Sequence, residues 1–305
     1  METVNCPLCG GAEWTPVVEA EDPDAAPPRP KFTVVRCRTC GLCFTNPRPA
    51  VEEIGKFYAA DYSPHQIAMQ PITWLDDFKN KLRGWFPIFP RNYERGDFPP
   101  IGRKRLLDFG CGGGAFLLRM QNRGWNVTGL DFSAATVERL RAERGLNVLS
   151  GTLPHPELTP GAFDLITLWH SLEHVHQPLA VLGEAHRLLS PGGRILVALP
   201  NIESLSFAWF GADWYGLDVP RHLTHFSPAT LRKMLEKAGF RLLLRQDIRH
   251  SYWFRNSLER ARRNGNLRRP YAWMQSKFAG SGVTRCQQWL GRADSFLLIA
   301  EKTFS

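Results

Sequence analysis

Short apolar segments alternate with helical segments from residue 105 onward, and this rhythm is the feature that most constrains the fold. Arg105–Phe109, Asn126–Leu130 and Phe163–Trp169 have the length and composition of buried strands. Helices are predicted between them, and Gly124 and Gly145 mark the ends of two of these helices. Such alternation is typical of a parallel sheet with helices on both faces.

The same rhythm continues toward the end of the chain. The remaining predicted elements are a strand at Val148–Leu149, a helix at Pro178–Leu189, a turn at Pro191–Gly193, a strand at Arg194–Leu199, a helix at Ser227–Ala238 and two last strands at Phe240–Gln246 and Phe296–Glu301. The sequence therefore predicts a sheet of seven strands.

A glycine-rich turn follows the first of these strands. As Gly110-x-Gly112-x-x-Ala it matches a dinucleotide-binding turn, with Asp131 at the distance expected for a ribose-binding carboxylate. Asp108 separates two cofactor classes, because its carboxylate would repel the pyrophosphate of NAD and attract the ammonium group of a methionine moiety. The turn therefore favours S-adenosylmethionine, and an NAD-dependent oxidoreductase is the alternative.

Two Cys-x-x-Cys-Gly knuckles lie near the N-terminus and supply four thiols, Cys6, Cys9, Cys37 and Cys40. Four sulfur ligands at this spacing suit a structural, tetrahedral Zn²⁺, and such a closed site is not catalytic. A disulfide pairing is the alternative. Cys43 is a further thiol that is either a replacement ligand or a small core residue.

Several segments, in chain order, resemble the successive motifs of class I S-adenosylmethionine-dependent methyltransferases: Leu106–Leu118, Gly129–Ser133, Phe163–His174 and Leu189–Asn201. Trp214–Ser227 resembles the subfamily related to ubiquinone-biosynthesis O-methyltransferases, and Cys37–Pro49 resembles a zinc-binding segment fused to such enzymes. The resemblance implies an α/β fold with a Rossmann-like seven-stranded methyltransferase sheet, helices on both faces, and a small N-terminal four-cysteine zinc ribbon.

The same resemblance implies a set of cofactor-binding residues. Asp108 and the glycine backbone would hold the methionine part of S-adenosylmethionine, and Asp131 would bind the ribose hydroxyls. Phe132 and its later neighbours would lie near the adenine. The full implied set is Asp108, Gly110, Gly112, Gly114, Asp131, Phe132, Thr152, Leu153, Trp169 and His170.

Three histidines are candidate general bases. Methyl transfer to a hydroxyl is an in-line displacement that a base near neutral pKa assists. His174 is the first choice because it follows the fourth strand at the carboxyl edge of the sheet, whereas His222 and His225 lie in a loop expected to fold over the pocket. A structural, hydrogen-bonding histidine is the alternative for each. The segment His170–His174 also spells the inverted zinc-protease motif, but it follows a strand directly and lacks the long helix that such chemistry needs.

The expected acceptor is a small-molecule metabolite methylated on oxygen or carbon. The alternative is an rRNA or tRNA methyltransferase, because a ribbon is present and residues 241–292 carry 12 Arg or Lys against two acids. Enzymes that methylate amino groups of nucleic acids commonly carry Asn/Asp-Pro-Pro-Tyr after the fourth strand, where this chain has Trp169–Leu172. Nucleic acid is therefore the less favoured partner.

The predicted organisation has three parts: a zinc ribbon over residues 1–50, a helical and aromatic linker or lid over 51–100, and a methyltransferase domain over 101–305 with a basic insert at about 254–292. The apolar stripe Trp74, Phe78, Leu82 and Trp85 predicts a lid or packing helix, with peripheral membrane contact as the alternative. Since no apolar run approaches the roughly 20 residues of a membrane span and no secretory signal is recognisable, we expect a cytoplasmic protein.

Overall fold

The computed structural model describes residues 1–58, 93–98, 101–266 and 277–303 of the 305-residue chain. The predicted helix with Trp74, Phe78, Leu82 and Trp85 lies outside these residues. Within the described ranges, no helix has the length and apolar character that a membrane crossing requires.

The strands and helices are numbered in chain order over the described residues. The strands are β1 (Trp14–Glu21), β2 (Lys31–Cys37), β3 (Cys43–Thr45), β4 (Arg105–Phe109), β5 (Asn126–Asp131), β6 (Val148–Ser150), β7 (Phe163–Trp169), β8 (Leu189–Pro200), β9 (Thr224–His225), β10 (Phe240–Ile248) and β11 (Ser295–Lys302). The α-helices are α1 (Val51–Ile54), α2 (Ala115–Gln121), α3 (Ala134–Arg144), α4 (Pro178–Leu188), α5 (Leu205–Phe210), α6 (Pro228–Lys237), α7 (Ser251–Arg263) and α8 (Lys277–Trp289).

The larger sheet has seven strands in the order β10-β11-β8-β7-β4-β5-β6, which confirms the predicted architecture. Strands β4 to β8 run parallel, and β11 joins β8 and β10 in antiparallel pairs. The central strands are mostly apolar and are buried on both faces because helices cover the sheet on each side. As a result, the chain segments after β4, β5 and β7 emerge at one edge, where a ligand site is expected.

The predicted turn at Pro191–Gly193 is wrong as a boundary, since these residues lie inside β8. Phe163 pairs with Leu189 and Leu165 pairs with Arg194, so four residues of β8 oppose one residue of β7. Gly192 takes a φ of +70°, which allows the chain to bulge and then rejoin the same ladder. The strand consequently starts five residues before the predicted Arg194.

The smaller sheet has four strands in the order β1-β2-β3-β9. Strand β9 comes from the loop predicted to fold over the pocket, and it pairs antiparallel with β3 of the N-terminal segment, Cys43 opposite His225. Cys43 is buried in a core cluster with Phe32, Val34 and Trp214. The N-terminal sheet is thus completed by a strand from the later part of the chain.

The N-terminal segment also shares a hydrophobic core with the larger sheet. Val35 and Phe44 belong to the same buried cluster as Leu231 of α6 and Leu168 of β7. Ser227 caps the start of α6, because its hydroxyl accepts from the backbone N–H of Thr230. Burying apolar side chains from both parts in one cluster fixes the loop between β8 and α6 against the edge of the larger sheet.

Candidate functional site

The glycine-rich turn joins β4 to α2 in a conformation that suits glycine. Gly110, Gly112 and Gly114 have φ values of +70°, +50° and +73°. The backbone N–H of Gly110 donates to the carbonyl of Leu130 at 2.7 Å. A Cβ at Gly110 would lie 2.6 Å from the Cβ of Ser171, so a larger residue would displace the segment after β7. The turn therefore holds two of the edge segments together.

Asp131 ends β5 and is tied to this turn. Its two carboxylate oxygens accept from the backbone N–H groups of Gly112, at 2.8 Å, and Ser133, at 2.9 Å. Each oxygen keeps a further lone pair for a ligand hydroxyl. The neighbouring Phe132 is 74% exposed and Thr152 is also exposed, whereas Leu153 is buried. The structure places these residues beyond the same edge, but no ligand contact tests their predicted adenine-binding roles.

Asp108 lies within β4 and is almost wholly buried. The hydroxyl of Thr167 donates to its carboxylate at 2.6 Å. Burial raises the pKa of Asp108 to about 7, the nearby charge of Asp131 acts in the same direction, and the Thr167 hydrogen bond opposes both. A cationic group beside Asp108 would favour its charged form, so this carboxyl is suited to respond to an ammonium ligand.

Unpartnered polar groups gather where β7 ends. Both carboxylate oxygens of Glu173, Nδ1 of His170 and Nε1 of Trp169 are buried without a hydrogen-bond partner among the described residues. His170 has a φ of +51°, and its Nδ1 lies 3.6 Å from Glu173. Although burial opposes ionisation, the histidines at positions 170, 174 and 222 hold the pKa of Glu173 below its ordinary value. Buried polar groups without partners point to a ligand or water in this place.

His174 follows directly in the 3₁₀ turn Leu172–His174. Its Nδ1 lies 3.1 Å from the backbone carbonyl of Arg221 and 3.0 Å from the hydroxyl of Tyr58. A carbonyl oxygen only accepts, so Nδ1 carries the proton and Nε2 keeps its lone pair in the neutral ring. That tautomer is the form a general base requires.

His222 and His225 are more deeply enclosed than His174. The Nδ1 of His222 lies 3.0 Å from the carbonyl of Gly216, and burial lowers the pKa of His222 to about 4. The Nε2 of His225 lies 3.1 Å from the hydroxyl of Thr45, and burial lowers the pKa of His225 to about 3. Both rings are therefore neutral near pH 7. The rings of His174 and His222 approach to 4.7 Å between centroids, so the structure brings these two predicted bases together.

Glu173, His174 and His222 each offer a ligand atom, and these atoms all lie within 4.8 Å of one another. Two imidazoles and one carboxylate are suitable ligands for a divalent transition-metal ion. The short 3₁₀ turn differs from the long helix of the inverted zinc-protease motif, which agrees with the sequence argument against that chemistry.

The four predicted metal ligands, Cys6, Cys9, Cys37 and Cys40, also gather in one place. Their sulfur atoms all lie within 4.8 Å of one another, with Cys6 and Cys40 at 3.4 Å and Cys9 and Cys37 at 3.5 Å. Tetrahedral zinc with bonds of about 2.3 Å requires sulfur atoms about 3.8 Å apart. All four are free thiols, and their arrangement suits zinc.

Sequence reasoning missed three residues that shape this site. Arg221 is fully buried and pairs with Asp218 at 2.7 Å and with Asp22 of the N-terminal hairpin at 3.1 Å. Tyr58 contacts His174, and Glu173 attracted notice only through the protease-like spelling. No local pattern indicates the contacts of Arg221 with Asp22 or of Tyr58 with His174, because these partners lie more than 100 positions apart in the sequence.

Comparison with known proteins gives a consistent family. A family model described as a methyltransferase domain matches residues 79–244, more than half of the chain. A ubiquinone biosynthesis O-methyltransferase of Aeromonas salmonicida is 32% identical over 209 residues, 61% of this chain and 80% of the relative. The enzyme with the same name from Pseudomonas aeruginosa is 34% identical over 209 residues, 61% of this chain and 82% of the relative.

One solved structure supports the fold alone. It is a chain from the complex between the Haloferax volcanii Trm112 methyltransferase activator and a methyltransferase, and it superposes with a TM-score of 0.52 at 17% identity. The match covers 75% of this chain and 93% of that chain.

Proposed function

Because this chain belongs to the class I S-adenosylmethionine-dependent methyltransferases, we propose that it methylates a hydroxyl oxygen of a small-molecule metabolite. The observation that carries this proposal is the position of His174, whose Nε2 keeps a lone pair at the edge where the cofactor-binding turn also lies. The O-methyltransferase names of the similar proteins support oxygen rather than carbon as the methylated atom.

The cofactor would occupy the edge formed by β4, β5 and β7. Bound S-adenosylmethionine supplies an electrophilic methyl group on a sulfonium centre. Asp108 and the backbone of Gly110, Gly112 and Gly114 would hold its methionine part, and Asp131 would accept from the ribose hydroxyls. Phe132, Thr152 and Leu153 would surround the adenine, while Trp169 and His170 would lie beneath the cofactor.

His174 is the proposed general base. Its Nε2 would take the proton of the acceptor hydroxyl as the new carbon–oxygen bond forms, while Nδ1 stays anchored to the Arg221 carbonyl. His222 and His225 are fully enclosed and each uses one ring nitrogen in a hydrogen bond to the second sheet or its loop. We therefore assign positioning roles to these two histidines.

A metal-assisted form of the same reaction is the second candidate. The facing ligand atoms of Glu173, His174 and His222, together with the unpartnered Glu173 oxygens, favour it. A cation held there would lower the pKa of an acceptor hydroxyl by charge attraction. Inhibition by EDTA that is reversed by one divalent metal, while the zinc content of the four-cysteine site stays unchanged, distinguishes this form from catalysis by His174 as a free base.

The N-terminal segment over residues 1–50 is the proposed structural zinc ribbon. The four gathered thiols support this assignment. The proposed parts are this ribbon, the linker or lid over 51–100, and the methyltransferase domain over 101–305 with its basic insert. Small-molecule acceptors are favoured over rRNA or tRNA.

The proposal is tested by methyl transfer from radiolabelled S-adenosylmethionine to a panel of hydroxylated small molecules and, separately, to rRNA and tRNA. We expect label only in the small-molecule panel, and label in RNA alone would overturn the proposal. His174→Gln should lower kcat by about 10²- to 10⁴-fold with unchanged affinity for S-adenosylhomocysteine. A normal rate in this variant would remove His174 as the base.

A further inference from the structure

A cavity of about 690 Å³ lies beside the proposed methyl-transfer site. Three segments line it: the β1–β2 hairpin, the loop over residues 212–219 and the C-terminal end of α7. We call it the hairpin cavity, and the lining residues used below are Arg29, Lys31, Asp213, Asp218, Arg260 and Arg263. A cavity of this size accommodates a metabolite-sized molecule.

Most charged groups around the hairpin cavity already have partners. Asp218 and Asp24 pair with the buried Arg221, at 2.7 and 3.1 Å. Asp213 accepts from the side-chain amides of Asn264 and Asn266. These carboxylates therefore have other partners, although the charges of Asp218 and Asp24 also favour the charged form of Arg260.

The basic side chains divide into paired and unpaired groups. Lys31 lies 3.3 Å from Glu19, and Arg263 lies 4.0 Å from Glu259. By contrast, neither Arg29 nor Arg260 has a carboxylate within ion-pair distance among the described residues. The Nε of Arg29 donates to the backbone carbonyl of Ala25 at 3.1 Å. Both guanidinium groups thus lack a carboxylate partner among the described residues, and the remaining unpaired lining carboxylate, Glu21, is exposed to solvent.

The Arg260 side chain packs on the ring of Tyr215. Its Cζ lies 4.6 Å above the ring centroid of Tyr215, which restrains the guanidinium through a cation–π contact. Burial lowers the pKa of Arg260, and the neighbouring charges of Asp218 and Asp24 oppose this effect. A guanidinium in this state gains from a carboxylate or phosphate partner.

The hairpin cavity is connected to the methyl-transfer site by direct neighbours. Asp218 of its wall lies 3.9 Å from Nε2 of His222. A row of rings also leads there from Arg260: Tyr215 lies 5.9 Å from Trp253, Trp253 stacks on His250 at 4.6 Å, and His250 lies 5.7 Å from His170. The wall of the hairpin cavity is therefore in contact, through Asp218 and this row of rings, with the residues around His174.

We propose that the hairpin cavity binds an anionic group of the acceptor, a carboxylate or a phosphate, through Arg260 and Arg29. This inference rests on the proposed small-molecule function and adds the charge class of its substrate. Both arginines lie outside residues 79–244, the region matched by the family model, so the selectivity would come from segments that this chain adds to that domain.

The test measures binding of probe pairs to the full chain saturated with S-adenosylhomocysteine, in phosphate-free buffer, by ligand-observed NMR titration. Benzoate is compared with benzamide, and phenyl phosphate with phenol, so the two arms separate carboxylate from phosphate recognition. We expect at least one anion to bind about tenfold more tightly than its neutral partner. Equal affinity within both pairs would overturn the inference.

Variants of Arg260 and Arg29 test whether these two side chains cause the preference for anionic probes. The anion preference is the dissociation constant of the neutral probe divided by that of its anionic partner. Arg260→Gln should bring this ratio close to one, and Arg260→Lys should keep part of the preference. Arg29→Gln should reduce the ratio without any change in α7. Arg262→Gln is the matched control, because Arg262 is exposed on the same helix outside the cavity lining. An unchanged preference in Arg260→Gln, or an equal loss of neutral and anionic probes, would contradict the inference. Methyl transfer to hydroxylated small molecules without any anion preference would contradict this inference alone and leave the proposed function intact.

Discussion

The hydroxyl of Thr45 donates a hydrogen bond of 2.8 Å to the backbone carbonyl of His222, across 177 positions of the chain. The same hydroxyl oxygen lies 3.1 Å from Nε2 of His225, so the three residues form one buried chain of hydrogen bonds. Thr45 belongs to β3, which pairs with β9 beside it. The N-terminal sheet therefore fixes the backbone of the loop that carries the enclosed histidines.

Replacing Thr45 with Val should remove its hydrogen bonds to His222 and His225. The substitution keeps the shape and leaves the His222 carbonyl and the His225 ring without a buried partner, which costs about 1–3 kcal/mol of the free energy of unfolding. We expect a lower kcat with unchanged affinity for S-adenosylhomocysteine, measured by kinetics, calorimetry and denaturant unfolding. Thr33→Val, in the neighbouring strand β2, is the control. Wild-type stability and rate in Thr45→Val would refute the positioning role.

Removal of one thiol tests the proposed zinc ribbon. Cys6→Ser should release the metal, since four thiolates close the tetrahedral site, and should lower the thermal midpoint of the protein. Native mass spectrometry and metal analysis give the zinc content. Cys286→Ser, at an exposed free thiol, should retain wild-type content. Full zinc retention in Cys6→Ser would argue against the four-cysteine site.

The seven-stranded sheet was predictable because its signals are local. Arg105–Phe109 and Phe163–Trp169 are short, mostly apolar runs, and the structure gives both strands the predicted bounds. The β8 bulge was missed because Pro191–Gly193 has the composition of a turn, while the strand on either side pairs with the same neighbour. The residue types of a turn do not show whether the chain pairs with the same neighbouring strand again after the turn.

The site was predictable only in part, for a related reason. Asp131 and the glycine turn follow from short spacings, and the four cysteines gather as their spacing indicates. The contacts of Thr45 with His222 and of Arg221 with Asp22 join residues more than 150 positions apart, and neither has a motif of its own. Pairing between distant segments depends on the folded sheet, so it becomes visible only in the structure.

Cofactor affinity should depend on pH through Asp108. Burial places its pKa at about 7, so the carboxyl is charged above that pH and neutral below it. Only the charged form attracts the ammonium group of the cofactor, so affinity for S-adenosylhomocysteine should fall by roughly tenfold for each pH unit below 7.

Calorimetric titration of S-adenosylhomocysteine at pH values above and below 7 shows whether the affinity falls as the pH falls. Asp108→Asn should bind weakly at every pH and lose the slope, while its Thr167 contact keeps the isosteric side chain in place. The same slope in Asp108→Asn, or affinity that rises as the pH falls, would assign the titration to another group.

If the edge between β4 and β5 binds S-adenosylmethionine, loss of the Asp131 carboxylate should remove most of the affinity for the cofactor. Calorimetric titration of S-adenosylhomocysteine into the wild-type chain and into Asp131→Ala should show a loss of at least about 100-fold in affinity, because two charge-assisted hydrogen bonds to the ribose disappear. Circular dichroism should show the same fold in both proteins. Unchanged affinity in Asp131→Ala, or a wild-type chain that binds NAD and not S-adenosylhomocysteine, would contradict the account.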